Sequence, residues 1–289
     1  MATTYTDAEI EASSGKGSDD ENFPVGSFLI KPPLRPHIFA YYAFARASDD
    51  IADASHLAPE EKKRRLDAYG AVLKGEAEGL TRPGALARSM AETGVPLERG
   101  LDLLEAFKQD ADMLRYRSLD DLLAYCRLSA NPVGQYLLDL HGEDRGLFVA
   151  SDALSTSLQI LNHLQDCGED RKNLNRVYIP LDWLEAEGDD IGVLDRAALT
   201  PGFRRVVDRL LDVCDELNTT AGALVGGLKS KRLAAESGVV IRLAKRLTAR
   251  LRKGDPLAER VALTKTDFAL AGVGGAWSGF TTSSRKAAA

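Results

Sequence analysis

Apolar residues recur at helical spacing along most of the 289-residue chain. Repeats at three and four residues predict amphipathic helices, whereas strict alternation of apolar and polar residues would predict strands, and no strand pattern competes. A further helix carries the stretch that begins at Gln159, and a short one follows Pro180. The remaining predicted helices span residues 34–54, 59–75, 82–93, 97–116, 120–141, 201–228 and 235–253. The pattern therefore predicts an all-α protein.

One of these helices contains residues that disfavour a continuous helix. Asn131, Pro132 and Gly134 lie within the segment 120–141. Proline lacks a backbone N–H group and its ring clashes with the preceding turn, so a kink is predicted at this point.

Two of the predicted helices carry acidic side chains at four-residue steps. Asn162, Asp166 and Asp170 share one helix face, and Asp49 and Asp53 share a face on the helix 34–54. Either stretch alone is more often a solvated helix face. Both interrupt apolar segments, however, where carboxylates without a counter-cation are costly. Oxygen ligands followed by basic residues suit Mg²⁺ with an attached phosphate group. We therefore interpret the two stretches as halves of one Mg²⁺ site.

Composition narrows the classes of function. The formal net charge is −6, with acidic and basic residues interspersed, which argues against a nucleic-acid surface. Cys126, Cys167 and Cys214 have no metal-binding spacing, so free thiols in a reducing compartment are predicted. The four histidines show no paired spacing typical of a metal site.

The domain limits follow from the ends of the chain. Residues 1–20 are polar and lack the features of a signal peptide, so they are predicted to be a disordered tail and the protein to be cytoplasmic. No linker divides residues 21–280, which are predicted to form a single domain. Residues 281–289 are predicted to be a flexible tail. No apolar run is long enough to span a bilayer.

The segments YAFARASDDIAD, YCRLSANPVG and QILNHLQDCGED together resemble the squalene and phytoene synthase family, all-helical enzymes that act on prenyl diphosphates. The resemblance covers roughly residues 21–180 and is weaker afterwards. Within the family, ENFPVGSFLI and YCRLSANPVG are most similar to the hydroxysqualene synthase branch of bacterial hopanoid biosynthesis. The resemblance implies a single-domain class I isoprenoid (terpenoid) synthase bundle, with a central cavity and the Asp motifs at its mouth.

The resemblance also implies roles for individual residues. The metal ligands would be Asp49, Asp53, Asn162, Asp166 and Asp170. The substrate would be bound by Asn22, Phe23, Arg46, Gln159, Lys172, Arg176 and Tyr178. The catalytic residues would be Tyr42, which would hold the diphosphate oxygens, and Arg127 and Asn131 near the reacting carbons, although a structural role for the last two is equally open.

Some positions depart from the family pattern. Arg127 stands where the family usually has tyrosine, Asn131 and Pro132 stand where it usually has glycine, and Gln165 replaces an arginine before the second Asp motif. The resemblance implies that Arg127 and Asn131 place polar groups near the reacting carbons and that Gln165 leaves one cation fewer near the diphosphate. These departures weaken the case for squalene or phytoene synthase activity.

The implied reaction is the Mg²⁺-assisted ionisation of presqualene diphosphate, followed by rearrangement of the cation and capture of water to give hydroxysqualene. No nicotinamide cofactor is expected. A peripheral contact with the inner face of the membrane and contacts with other enzymes of the pathway are further expectations. Two alternatives stay open: a prenyl transferase that condenses two prenyl diphosphates head to head, and a non-catalytic helical subunit that binds isoprenoid.

Overall fold

The structure, a computed structural model, describes residues 5–10 and 31–272. Within those ranges there is no strand, and an isolated bridge joins Arg115 to Val177. A further helical segment begins at residue 265. The named helices are α1 (Asp7–Ile10), α2 (Arg35–Asp53), α3 (Pro59–Leu73), α4 (Thr81–Thr93), α5 (Glu98–Asp112), α6 (Leu119–Ser129), α7 (Asn131–Leu140), α8 (Phe148–Glu169), α9 (Leu181–Ala186), α10 (Pro201–Ala221), α11 (Ala223–Gly227) and α12 (Lys231–Leu251). The predicted all-α class is confirmed.

The described residues fall into two compact units. The first contains the chain up to Met113 together with Gln135–Gly142. In its core, α2 buries Tyr41 and Phe44 against α4 and α5, and α3 packs on α5. A Cβ atom at Gly100 would lie 2.8 Å from a Leu73 methyl group, so glycine lets α5 approach α3 closely.

The second unit contains Leu114–Gly134 and the chain from Glu143 onward. Its central element is α8, which packs most extensively on α10 and also contacts α6 and α12. Leu161 and Leu164 of α8 and Leu211 of α10 are completely buried in its core. A Cβ atom at Gly134 would lie 2.4 Å from the Ser151 hydroxyl oxygen, so the start of α7 needs glycine where it passes α8.

Helix ends in the second unit are fixed by side-chain caps. Ser118 and Asp121 form a reciprocal capping box at the start of α6. The Ser230 hydroxyl accepts a hydrogen bond from the Leu233 N–H group at the start of α12. The buried Glu143 carboxylate accepts hydrogen bonds from the N–H groups of Lys229 and Ser230, each at 2.7 Å. These bonds satisfy backbone donors that a helix start leaves open.

The predicted helix 235–253 begins four residues after the start of α12, and three further predicted helices are shortened or divided in the structure. The segment 97–116 ends at Asp112, because Met113 is extended and the next residues pair with the chain near Val177. The segment 120–141 divides into α6 and α7 at Ala130 (φ −119°), next to the predicted kink. The segment 201–228 divides into α10 and α11 at Gly222. In each case a local break ends a helix that the apolar repeat would continue.

The predicted N-terminal tail differs from the structure at residues 5–10. Ile10 is buried in the first unit, the Tyr5 hydroxyl donates to Glu61 at 3.2 Å, and Asp7 accepts hydrogen bonds from Thr81. Apolar packing therefore holds this short segment, although its composition is polar. The limits 21–280 for the domain remain a prediction, and the predicted tail at 281–289 lies outside the described residues.

The three cysteines are free, as predicted, and the structure buries all of them. Burial raises the pKa of each thiol to about 12, so all three stay protonated at neutral pH. Among the described helices, none combines the length and apolar character needed to cross a membrane.

Candidate active site

The first Asp motif lies on the last turns of α2. Arg46 donates to Asp49 at 2.7 Å and to Asp50 at 2.9 Å, through separate guanidinium nitrogens. The Asp50 side chain is 8% exposed and that of Asp49 is 32% exposed, while Asp53 is half-buried. The fork of Arg46 compensates the partial burial of two carboxylates and leaves the more exposed Asp49 accessible to a cation.

The second Asp motif lies at the end of α8. Asn162, Asp166 and Asp170 are half-buried and follow one helix face at four-residue steps. At Asp170 the α-helix changes to a π-helical turn that runs to Leu174. Turns of this kind occur mostly as single insertions, frequently at functional sites. The turn changes the direction in which the residues after Asp170 leave the helix.

Beyond the π-helical turn, the chain reverses at Asn175, which has a left-handed backbone (φ 53°). The Arg176 N–H group donates to the Asp170 carbonyl at 3.1 Å, and the Val177 N–H group donates to the Leu114 carbonyl at 3.0 Å. Arg176 is 5% exposed. A basic residue is thus held close to the backbone of the predicted ligand Asp170.

An aromatic cluster packs behind this segment. The Tyr178 ring stacks on His163, with centroids 3.6 Å apart and an interplanar angle of 13°. Tyr116 and Tyr125 each lie 5.4 Å from the Tyr178 ring centroid. Burial lowers the pKa of His163 to about 3, and the positive charge of Arg176 contributes in the same direction. His163 is therefore neutral at pH 7 and serves as an aromatic packing partner.

Gln159 extends this arrangement by one helical turn. Its side-chain nitrogen lies 3.1 Å from His163 Nε2, which fits an amide that donates to a neutral imidazole. Gln159 is half-buried. Its side chain is thus fixed by the aromatic cluster, on the side of α8 that carries Asn162.

A pocket of about 560 Å³ opens beside Asp166 within the second unit. Lys172, Arg196 and Arg260 contribute positive charge to its lining, and Gln165 also lines it. The Gln165 side chain donates to the Val261 carbonyl at 2.6 Å. The residue that replaces the family's arginine therefore anchors the chain near Val261.

Comparisons with known proteins show the family of the chain. Residues 17–267 match the family model described as squalene/phytoene synthase. The chain belongs to the squalene/phytoene synthase family. It is 40% identical to the hydroxysqualene synthase of Zymomonas mobilis over 92% of this chain and 93% of the relative, and 43% identical to that of Rhodopseudomonas palustris over 91% and 90%.

Solved structures place the chain in the same family. The squalene synthase HpnC from Alicyclobacillus acidocaldarius superposes with a TM-score of 0.72 and 32% identity, covering 79% of this chain and 87% of that protein. A dehydrosqualene synthase solved with a ligand gives a TM-score of 0.67 over 90% of both chains at 18% identity, which supports the fold alone. The class I terpenoid synthase fold predicted from the sequence is confirmed.

The squalene/phytoene synthase family implies a metal, and the donor chemistry fits Mg²⁺. Each motif offers half-buried oxygen donors. Across residues 5–10 and 31–272, no three His, Cys, Asp or Glu side chains form a ready-made metal cluster. Mg²⁺ is commonly held by one or two carboxylates, with waters and substrate phosphates completing its six ligands. Pairs of carboxylates are therefore sufficient protein ligands for this ion.

Among the residues predicted to lie near the reacting carbons, Asn131 and Arg127 differ. Asn131 is 6% exposed, and its side-chain oxygen accepts a hydrogen bond from the Thr156 hydroxyl at 2.9 Å. Arg127 is exposed at the end of α6. The role of Arg127 near the reacting carbons stays a prediction, because exposure is usual for arginine and by itself assigns no role.

The catalytic candidate Tyr42 and the other predicted substrate-binding residues are distributed as follows. Tyr42 is half-buried on α2, Lys172 is exposed, and Tyr178 is buried in the aromatic cluster. Asn22 and Phe23 lie outside the described residues. The catalytic role of Tyr42 and the substrate-binding roles of the other residues remain predictions.

Sequence reasoning missed Asp50, Arg115 and Asn175. Asp50 adjoins Asp49 and is the second carboxylate that pairs with Arg46. An asparagine just after a predicted helix is a known signal for a left-handed turn, so Asn175 was detectable. Nothing in the local sequence pairs it with Arg115, which lies 60 residues earlier.

Proposed function

We propose that this enzyme is a hydroxysqualene synthase, a carbon–oxygen lyase that converts presqualene diphosphate and water to hydroxysqualene and diphosphate. Relatives of that name are about 40% identical over more than nine-tenths of the chain, and this observation carries the proposal. The residues of both Asp motifs are present at the spacing expected for the family.

The protein's own contribution begins with binding of the diphosphate. Asp49, Asp53, Asn162, Asp166 and Asp170 would hold Mg²⁺. Bound Mg²⁺ supplies positive charge that makes the diphosphate a better leaving group. The direct partners of the diphosphate oxygens would be Tyr42, Arg46, Lys172, Arg176 and Tyr178. Guanidinium groups suit this task because they donate two parallel hydrogen bonds to phosphate oxygens.

Once the C–O bond breaks, the cation must meet water rather than a reductant. Asn131 is suited to orient that water, because the Thr156 hydroxyl occupies its side-chain oxygen and its amide nitrogen is the donor that remains. The electron pair of the water oxygen forms the new C–O bond, and the oxygen then loses a proton to solvent or to the released diphosphate. Asn22, Phe23 and Gln159 would contact the hydrocarbon chains.

The principal alternative is a transferase that condenses two prenyl diphosphates. The phytoene synthase of Thermus thermophilus is 31% identical over 73% of both chains, so the family includes enzymes so named. The higher identity to hydroxysqualene synthases favours the lyase. A non-catalytic isoprenoid-binding subunit has no comparable support.

The cellular setting follows from the proposed substrate. A long hydrocarbon chain attached to a diphosphate partitions into the membrane surface, so we propose a cytoplasmic protein that contacts the inner face of the membrane peripherally. We also propose contacts with the enzymes that make the substrate or consume the product.

The proposal is tested by incubating the protein with presqualene diphosphate and Mg²⁺, without a nicotinamide cofactor, and identifying the product. Hydroxysqualene is expected. A parallel incubation with farnesyl diphosphate alone should give little product. Efficient turnover of farnesyl diphosphate would support the transferase, and squalene formed only with a nicotinamide cofactor would contradict the proposal.

A further inference from the structure

Arg115 and Asn175 form a clamp within the second unit. One guanidinium nitrogen of Arg115 donates to the Asn175 carbonyl, and the other donates to the Asn175 side-chain oxygen at 2.7 Å. Arg115 also donates to its own neighbour, the Leu114 carbonyl, at 2.6 Å. These bonds occupy both the backbone and the side-chain acceptor of one asparagine. Asn175 is thereby fixed in orientation as well as in position.

The clamped residue is the one with the least common backbone conformation nearby. Asn175 has φ 53°, a left-handed conformation that asparagine and glycine adopt more readily than other residues. It ends the π-helical turn that begins at Asp170. Such a conformation persists when its surroundings determine it, and the Arg115 bonds provide that constraint.

The clamp also reaches the basic residues beside the second Asp motif. Arg171 donates to the same Asn175 side-chain oxygen and pairs with Asp195 at 3.2 Å. Burial lowers the pKa of Arg115, and the nearby charge of Arg171 adds to this effect. The oxygen of Asn175 thus lies between two guanidinium groups and reduces the repulsion between them.

What the clamp holds is the segment 170–178. One end of this segment is Asp170, whose carbonyl accepts from the Arg176 N–H group. The other end is Tyr178, which stacks on His163 next to Asn162. A change in the backbone at Asn175 would therefore move Arg176 and Tyr178 relative to the helix that carries Asn162 and Asp170.

We propose that Arg115 is a positioning residue for diphosphate binding, acting through Asn175 to hold Asp170, Arg176 and Tyr178 in their binding arrangement. This inference rests on the proposed function, because it assumes that these three residues bind Mg²⁺ or diphosphate. Arg115 itself is not assigned a contact with the substrate.

The test is the change Arg115→Gln, with Arg117→Gln as the matched control. Arg117 lies two residues further along the same segment and forms an exposed ion pair with Glu185. Binding of inorganic diphosphate in the presence of Mg²⁺ is measured by calorimetry, and the thermal midpoint is measured in the same buffer. Arg115→Gln should raise the Kd for diphosphate about tenfold. Arg117→Gln should leave it within about twofold.

A second pair of variants covers the case in which Arg115→Gln folds poorly. Asn175→Gly keeps the left-handed backbone accessible, so its Kd should rise only about threefold. Asn175→Ala removes the same side chain but disfavours that backbone, so its Kd should rise more than that of Asn175→Gly. With presqualene diphosphate as substrate, both changes should raise KM more than they lower kcat.

The outcomes separate the clamp from the proposed function. If the variants lose thermal stability but bind Mg²⁺ and diphosphate as tightly as the unmodified protein, the clamp is only structural and the inference is wrong. If the unmodified protein binds no diphosphate, both the inference and the proposed function fail. If diphosphate binding follows the expected order while the product is not hydroxysqualene, the clamp stands and only the product assignment fails.

Discussion

The two Asp motifs are built in different ways. The first is a regular stretch of α2, in which Arg46 forms ion pairs with residues three and four positions later. The second leaves the regular helix at Asp170 and depends on a π-helical turn, a left-handed asparagine and a partner 60 residues earlier. Helical spacing thus places the donors of the first motif on one face of α2. The second also needs tertiary contacts.

The largest expected effect tests whether the two motifs, despite this difference, serve one reaction. Asp49→Ala and Asp166→Ala should each lower kcat by roughly three orders of magnitude, because each removes a metal ligand rather than a packing group. Steady-state kinetics with presqualene diphosphate measure this. Glu216→Gln, which changes an exposed acid on α10, is the control and should keep full activity. Loss of activity in the variant of only one motif would contradict a shared role of the two motifs in the reaction.

The next effect sharpens the account of the first motif. Arg46→Gln should lower kcat/KM by roughly 100-fold, because it removes a diphosphate partner and leaves Asp49 and Asp50 without their shared cation. Arg46→Lys should recover part of the loss, since lysine keeps the charge but not the fork. Equal activity of both variants and the unmodified enzyme would contradict the assigned role.

A third effect concerns the support behind the second motif. Tyr178→Ala should lower the free energy of unfolding by about 3 kcal/mol, because it empties the space between His163, Tyr116 and Tyr125. Tyr178→Phe keeps the ring and should cost less than about 1.5 kcal/mol. Chemical denaturation followed by circular dichroism gives both values. Similar losses from the two variants would show that the ring stack is not what stabilises this segment.

The smallest effect concerns the role of Arg127 at the end of α6. Arg127→Gln should change kcat/KM by less than about twofold, because the side chain is exposed. Asn131→Ala, four residues further along, should reduce formation of the alcohol, since Asn131 is buried and bonded to Thr156. A large loss of kcat/KM in Arg127→Gln would support the catalytic role predicted for Arg127.

Much of the fold was predictable because helices in this chain follow the apolar repeat. The predicted helix 34–54 and the observed α2 (Arg35–Asp53) differ by one residue at each end. One error occurs where tertiary pairing overrides the repeat: after Met113 the chain leaves α5 to pair with the segment near Val177. The polar composition of residues 1–20 predicted a disordered tail and did not reveal that Ile10 is buried.

The spacing of the candidate donors could be read from the sequence, whereas the residues that hold them in place could not. Four-residue steps fix which side of a helix Asp166 and Asp170 share, and this is a property of sequence. Whether Arg127 is buried, or which residue holds Asn175, depends on neighbours distant in the chain. The resemblance to a family added residue roles, including that of Arg127, which stays a prediction for a side chain that the structure shows to be exposed.

The central claim is that water captures the cation formed from presqualene diphosphate. It is tested most directly by mass spectrometry of the product made in ¹⁸O-labelled water, with Mg²⁺ and without any reductant. If water captures the cation, the product is hydroxysqualene that carries one labelled oxygen, and the Asp49→Ala and Asp166→Ala variants give no such product. An unlabelled alcohol, or squalene formed only when a nicotinamide cofactor is added, would contradict it.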